Sequence, residues 1–443
     1  MLLTGTGSGC GKTTITCAVL KAFKDRGLDT GAYKCGPDYI DTMFHARITG
    51  SPCTNLDPFF FDGNILQYLL SKKGASRRIN IVEGVMGYYD GLAVTEKAST
   101  YEVAKATQTP VVLIVNAKGA AYSILAQING FLDFCEDDQI RGVILNNCSP
   151  MLYPMIAETI LKRFDGRVKP LGCMPNMSEC SLESRHLGLV TAAEVEDLDS
   201  KLEILSGQAQ KSIDLDGLLE LADHAPELSF EEPAIRHFDE KIRIAVARDK
   251  AFCFYYEDSI DMLGEMGAEF VSFSPLNDST LPEGIEGLYL GGGYPELYAE
   301  RLSGNTSMLD SIKRAVGSGL PCIAECGGFM YLTAAIGDYK MCDVLPGKCY
   351  DTGRLTRFGY ITLTANADNM LCSAGGSIRA HEFHHWDCED TGNCFSAEKP
   401  TGRGWKCVAA NDHLYAGFPH FHFLANLEFA ENFYTACVWY GQA

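Results

Sequence analysis

The sequence predicts an α/β protein with two strand-and-helix sections, and three observations predict it. Apolar runs at residues 79–82, 111–115 and 143–145 read as buried parallel strands. Helix-compatible segments such as residues 14–24 and 123–134 alternate with them, which argues a doubly wound, mostly parallel sheet. That alternation lapses at about residues 198–239 and restarts at residues 242–246. The expected organisation is therefore a first domain over 1–200, an acidic helical linker over 201–240 and a second α/β domain over 241–443.

In the linker, residues 215–222 predict a helix, and residues 224–233 are rich in Pro and Glu. In the second section, residues 257–267 predict a helix ending in Gly, and residues 271–273, 287–290 and 322–324 predict strands. A chain of 443 residues has room for two or three domains, and its 46% hydrophobic content can fill their cores. No apolar run is long enough for a membrane span and no signal peptide is expected. Only Met1, Leu2 and Leu3 precede the first loop, so the first strand is short and a start further upstream is allowed for. A formal net charge of −20 argues against nucleic acid or an anionic membrane as a general partner. The 18 cysteines are scattered without a CxxC pair, so they read as reduced, packed thiols of a cytoplasmic protein.

Residues 5–14, GTGSGCGKTT, lie between the first strand and a helix. Gly5, Thr6, Gly9, Gly11 and Thr14 frame a loop whose backbone N–H groups curl around phosphates. Lys12 reaches the terminal phosphates and Thr13 offers its hydroxyl to Mg²⁺. The loop is a variant P-loop, because Thr6 stands where the strict pattern has Gly. Carboxylates follow. Residues 34–41, KCGPDYID, carry Asp38 and Asp41, and His45 comes shortly after. An ordinary turn with Asp41 as helix cap is the alternative there. Glu83 ends an apolar run, and a carboxylate at the carboxyl end of a parallel strand lies where such sheets bind ligands. Glu83, Thr13 and Asp41 are the expected Mg²⁺ ligands beside ATP.

The second section carries ECGG at residues 325–328, on a strand-to-helix turn. Such a turn lifts Cys326 clear of the sheet, and the helix N-terminus is expected to lower the thiol pKa. A nucleophilic Cys needs a base brought near by the fold, and FPHFHF at residues 418–423 offers His420 and His422. One scheme uses both halves: a glutaminase releases ammonia, and ATP activates a carboxylate to receive it.

These stretches, with VEGVMGYYDG, GVILN, SRHLGL, GGGYPE, VLPG and AHEFHH, resemble the cobyrinic acid a,c-diamide synthases over nearly the full length. The resemblance implies a P-loop synthetase domain similar to dethiobiotin synthetase, followed by a class I, flavodoxin-like glutaminase domain. It makes Cys326 the nucleophile, His420 the base, and Gly291, Gly292 and Gly293 the oxyanion loop, with Asp38, Asp41 and Glu83 as carboxylates of the synthetase site. It also implies a tetrapyrrole, ATP and glutamine as small-molecule partners. Ammonia from the thiol site would amidate the a and c acetates of the ring through an acyl phosphate. Many class I glutaminases carry Glu two residues after the His; here that position is His422, which leaves the third triad member unassigned.

The same chemistry on hydrogenobyrinic acid, nickel-sirohydrochlorin or the cobyric acid precursor is the nearest alternative. A nucleotide-binding regulator with an inactive glutaminase fold, and a zinc peptidase, are rivals of other classes. Residues 381–385 fit HExxH, but they follow Gly375 and Gly376 and alternate like a strand. Arg185 and His186 could pair with acidic groups of a substrate or lie on a solvated turn. A homodimer is compatible with the sequence, which does not report oligomeric state.

Overall fold

The structure, a computed structural model, describes residues 1–180, 184–185, 188–189, 192 and 194–443. The chain divides into two compact units, Met1–Pro233 and Ala234–Ala443. His186 and much of the SRHLGL segment lie outside the described residues, and the reading of Arg185 and His186 with them.

In the first unit a seven-stranded parallel sheet has the order β3-β2-β4-β1-β5-β6-β7. The strands are β1 (Leu2–Gly5), β2 (Thr30–Cys35), β3 (Thr54–Leu56), β4 (Ile79–Glu83), β5 (Val111–Asn116), β6 (Ile140–Asn146) and β7 (Lys169–Met174). Helices α1 (Lys12–Asp25), α2 (Ile40–Thr49), α3 (Gly63–Gly74), α4 (Thr100–Thr107), α5 (Ser123–Asp133) and α6 (Tyr153–Phe164) alternate with them. Near-continuous apolar strands form because both faces of the sheet are covered by helices. β1 sits between β4 and β5, where the strand order reverses. Crevices for ligands open beyond the carboxyl ends of strands at such a reversal.

The expected boundary at residue 200 is corrected. Helices α7 (Leu198–Ser212) and α8 (Leu215–Asp223) belong to the first unit, not to a linker. α7 lays Leu198, Leu202, Leu205 and Ala209, a helical-period apolar face, into the unit and packs on α1. Its outer charges gave the segment its acidic, linker-like composition. Lys21 Nζ lies 2.6 Å from Glu203 Oε1, and Ser206 Oγ donates to Asp25 Oδ2 over 2.6 Å. Phe230 then packs edge-on against Tyr68, so the unit closes only at Pro233.

The second unit is also α/β. Strands β8 (Ser184–Arg185) and β9 (Gly188–Leu189) pair antiparallel in the first unit; the second begins with β10 (Ile242–Ala247), β11 (Ala268–Phe273), β12 (Gly287–Leu290) and β13 (Cys322–Glu325). Its main sheet runs β11-β10-β12-β13, then Leu414–Gly417, then Ala409–Ala410; all neighbours are parallel except the last pair. Helices α9 (Glu257–Met266), α10 (Ala299–Gly304), α11 (Thr306–Gly317) and α12 (Gly327–Leu332) accompany it. α11 buries Met308, Leu309, Ile312 and Val316 along one stripe. A second, antiparallel sheet includes Ser377–His384 paired with His420–Phe421, in the register His381↔His420. The HExxH stretch therefore lies on and just beyond a strand, where successive side chains point to opposite faces rather than sharing a helix face.

The expectation that all 18 cysteines are reduced is corrected too. Cys349 and Cys388 form a disulfide, and 16 cysteines are free. Antiparallel pairing makes these two direct cross-strand neighbours with Cα atoms 4.1 Å apart, a proximity that their separation of 39 residues conceals. No helix among the described residues is long and apolar enough to cross a membrane.

Gly328 shows how tightly the second unit is closed. A Cβ there would lie 2.1 Å from the Leu290 carbonyl oxygen, at the end of β12. Gly328→Ala is expected to destabilise the protein by about 1–3 kcal/mol through overpacking. Denaturant unfolding followed by circular dichroism checks this, and an unchanged midpoint would refute the close approach.

Candidate active sites in the two units

The phosphate loop leaves β1 and enters α1. Thr6 N donates to Ile114 O over 3.3 Å, so the residue that departs from the strict motif prolongs strand pairing rather than lining the turn. Gly9 (φ 74°) and Gly11 (φ 98°) are left-handed, a conformation that favours glycine. Gly11 also has no room for a side chain, since a Cβ would lie 2.0 Å from Asn146 Nδ2. Asn146, at the end of β6, donates through that nitrogen to Cys10 O over 2.8 Å and clamps the loop from a distant strand. Lys12 Nζ donates to Gly7 O over 3.0 Å and to Met86 O over 2.5 Å. Burial lowers the Lys12 pKa. Thr14 follows Thr13 in the first turn of α1.

The carboxylates converge beside this loop. Thr13 Oγ1 lies 2.7 Å from Glu83 Oε1 and 3.3 Å from Asp41 Oδ2. Lys34, at the carboxyl end of β2, places Nζ 3.1 Å from Asp41 Oδ2 and 3.5 Å from Glu83 Oε1, and donates to Gly84 O over 2.9 Å. His45 Nε2 lies 2.8 Å from Glu83 Oε2. Lys34, Asp41, His45 and Glu83 are all buried. Burial alone would raise the Glu83 pKa, but Lys34, His45 and Thr13 hold it down to about 2. Asp41 moves the other way: burial raises it well above the ordinary value, with the Asp38 and Glu83 charges adding to the rise. Two carboxylates and a hydroxyl converge here, which fits a site for a divalent cation at Thr13, Asp41 and Glu83, whose charge would favour the ionised form of Asp41.

Asp38 does different work. Its Oδ1 accepts from Ile40 N and Asp41 N, each over 2.8 Å, so it caps the start of α2. The alternative reading named Asp41 as that cap; the structure gives the cap to Asp38 and turns Asp41 toward Lys34 and Thr13. Lys34 and His45 carried no role in the sequence reading. The usable signal was Lys34 as the first residue of KCGPDYID, at the end of a buried strand.

In the second unit, Cys326 follows β13 directly and holds φ 49°, ψ −103°, an uncommon conformation for a non-glycine residue. Its N–H donates to Gly417 O over 2.7 Å, anchoring it to the strand that leads to His420. A Cβ on Gly292 would lie 2.5 Å from His420 Cε1 and 3.3 Å from Nε2, and one on Gly327 would lie 3.1 Å from Gly293 N. The Gly291–Gly293 loop therefore lies between the Cys326 turn and His420, and the approach of Gly292 to His420 requires glycine. His422 lies apart from this role: its Nδ1 accepts from Leu424 N over 3.1 Å, and its ring packs on Tyr256.

The expectation of a lowered thiol pKa is corrected. Burial, with the Glu296 charge next, pushes Cys326 up. The helix behind it is only six residues long and does not outweigh desolvation. Burial, then the His384 charge, pushes His420 down to about 3. The resting pair is a neutral thiol and a neutral imidazole, so His420 can accept a proton from Cys326. Glu325, the last residue of β13, was also unread in the sequence; its Oε2 lies 3.9 Å from His420 Nδ1.

Two sequence families match these two sites. The CobQ/CobB/MinD/ParA nucleotide binding domain matches residues 1–266, and the CobB/CobQ-like glutamine amidotransferase domain matches residues 243–427. Their overlap runs past the compact boundary at Pro233, which is the physical limit of the first unit because α7, α8 and Phe230 pack within it. A protein of Caldanaerobacter subterraneus subsp. tengcongensis is 38% identical, covering 100% of this chain and 99% of its own. One of Clostridium tetani is 40% identical over 97% of this chain and 98% of its own. One of Thermoplasma volcanium is 36% identical over 100% of this chain and 98% of its own. All three are named cobyrinate a,c-diamide synthase. The chain belongs to the cobyrinate a,c-diamide synthase family. The family's two-domain organisation matches the two units, with the nucleotide site in the first and the glutamine amidotransferase site in the second.

A neutral, buried Cys326 should not behave as a preformed thiolate. Its alkylation by iodoacetamide, followed by peptide mass spectrometry, is expected to be slow at pH 7 and to rise steadily into the alkaline range. A labelling rate that has already levelled off below pH 7 would contradict the neutral resting state.

Proposed function

We propose that this chain uses ATP and glutamine to convert the a and c acetate carboxylates of cobyrinic acid into amides. The observation that carries the reading is the pairing of a P-loop acid cluster (Thr13, Lys34, Asp41 and Glu83) with a Cys326–His420 site in a single chain.

In the thiol site, Cys326 Sγ attacks the side-chain amide carbon of glutamine as His420 takes the thiol proton. The developing oxyanion is received by backbone N–H groups of Gly292 and Gly293, because the Gly291 N–H, expected to share this role, donates to Tyr255 OH over 2.9 Å. The C–N bond breaks, His420 returns its proton to the leaving nitrogen, and ammonia departs. Water then hydrolyses the glutamyl thioester to glutamate and frees Cys326.

In the first unit, the loop of Gly5, Gly9 and Gly11 holds the ATP phosphates through its N–H groups, with Lys12 on the terminal phosphates. Thr13, Asp41 and Glu83 would hold Mg²⁺, whose charge offsets that of the phosphates. Lys34 keeps Glu83 ionised and holds Asp41 in place, and Asp38 caps α2. A carboxylate oxygen of the tetrapyrrole attacks the γ-phosphorus and ADP leaves. Ammonia then attacks the acyl carbon and phosphate leaves. Two such rounds give the diamide. Incubation with ATP, glutamine and either cobyrinic acid, hydrogenobyrinic acid or nickel-sirohydrochlorin, with products read by mass, tests the substrate; two amidations are expected on cobyrinic acid.

Lys12→Ala is expected to lower ATP-dependent amidation by about a hundredfold or more while glutamine hydrolysis persists. Asp41→Asn and Glu83→Gln should lose amidation comparably. Asp38→Asn should lose less, because Asn still caps a helix. Full amidation by the Lys12 variant would remove the phosphate-loop assignment.

Cys326→Ser and His420→Ala are expected to abolish amidation from glutamine yet restore it with an ammonium salt at mildly alkaline pH. His422→Ala should lose less. The readout is amide product from each nitrogen source. A Cys326→Ser protein that uses glutamine at the parent rate would overturn the thiol site, and one that is folded yet fails with ammonium would overturn the separation of the half-reactions.

A further inference from the structure

We propose that Glu325 is the positioning residue of the thiol site: its carboxylate orients the His420 ring and offsets the imidazolium charge formed when Cys326 gives up its proton. This rests on the glutaminase reading above. The position two residues after the base holds His422, and that side chain is engaged elsewhere, accepting from Leu424 N. The carboxylate comes instead from the residue before the nucleophile.

The geometry supports this from three directions. Glu325 is 1% exposed and lies at the end of β13, between β12 and the Leu414–Gly417 strand that leads to His420. Its Oε1 accepts from Phe421 N over 3.1 Å, so it grips the amide next to His420. Its Oε2 accepts from Tyr289 OH over 3.0 Å and lies 3.9 Å from His420 Nδ1. The opposite edge of the ring, Cε1 and Nε2, faces Gly292. One nitrogen thus faces the carboxylate and the other faces the oxyanion loop. The other nearby buried carboxylate, Glu382, places Oε2 3.3 Å from His384 Nε2 and 3.8 Å from Arg357, so it is committed to a different histidine.

The electrostatics set the condition for this role. Burial raises Glu325 to about 8, while Phe421 N and Tyr289 OH pull the other way. Tyr255, Tyr289, Tyr415 and Cys326 are its other titratable neighbours. A charge on His420 favours the ionised carboxylate, and the carboxylate favours the charged imidazole. With Glu325 ionised and His420 carrying its proton on Nδ1, the thiol proton passes to Nε2, and later from Nε2 to the departing nitrogen. Glu325 itself gains and loses no proton in the cycle.

The test measures glutamine hydrolysis and amidation from both nitrogen sources for Glu325→Gln and Glu325→Asp, with Cys326→Ser alongside. Glu325→Gln is expected to keep its melting temperature within a few degrees and to lower kcat for glutamine about a hundredfold. Its KM should change less than about threefold and its ammonium-driven amidation should match the parent. The parent pH profile should show an ascending limb near pH 8 that the Gln variant displaces. Glu325→Asp, which keeps the charge, should recover part of kcat and covers the case in which the Gln variant does not fold. A folded Glu325→Gln with parent kcat and pH profile, or an Asp variant no better than Gln, overturns the proposal while leaving the thiol site intact. Parent-rate glutamine use by Cys326→Ser overturns the underlying reading instead.

Discussion

Burial of ionisable groups at the carboxyl ends of parallel strands is the constraint on which this structure depends. Glu83 is fully buried at the end of β4 and stays ionised because Lys34, His45 and Thr13 surround it. Removing one partner of such a set leaves an uncompensated buried charge, at a cost of about 3–5 kcal/mol. β1, β2 and β4 are neighbours in the sheet, so the phosphate loop, Lys34 and Glu83 are delivered to one edge by strand pairing alone. α2, started by Asp38, then swings Asp41 and His45 over them.

The thiol site obeys the same constraint with the opposite outcome. Burial raises Cys326 and Glu325 and lowers His420, so the thiol and the imidazole are neutral at rest and Glu325 ionises only toward about pH 8. A neutral thiol facing a neutral imidazole is stable at rest and changes its charge state only as the proton moves. The first site is charged at rest, which suits binding a polyanion and a cation; the second is neutral at rest, which suits a proton transfer.

The glycines serve both sites through shape. Gly11 admits Asn146 against the phosphate loop, and Gly292 admits the His420 ring against the Gly291–Gly293 loop. In each case a side chain from a strand far along the sequence closes on a backbone turn. A side chain at either glycine would hold the two elements apart.

Much of this was legible in the residues themselves. Apolar runs of strand length, the GKTT start of a helix, the acid at the end of β4 and the Cys on a strand-to-helix turn are local patterns, set by hydrogen bonding and burial within a few residues. They pointed to Lys12, Thr13, Glu83 and Cys326, while the choice of His420 over His422 came from the family resemblance. What only the tertiary structure decided are matters of proximity and solvation. Pairing across strands joined Cys349 to Cys388 and set Glu325 beside His420. Packing of the apolar face of α7 on α1 moved the domain boundary to Pro233. Capping by Asp38 released Asp41 to Lys34. Depth of burial reversed the sign of the Cys326 shift, because desolvation depends on everything that surrounds a group, and a helix N-terminus read from sequence is one contribution among many.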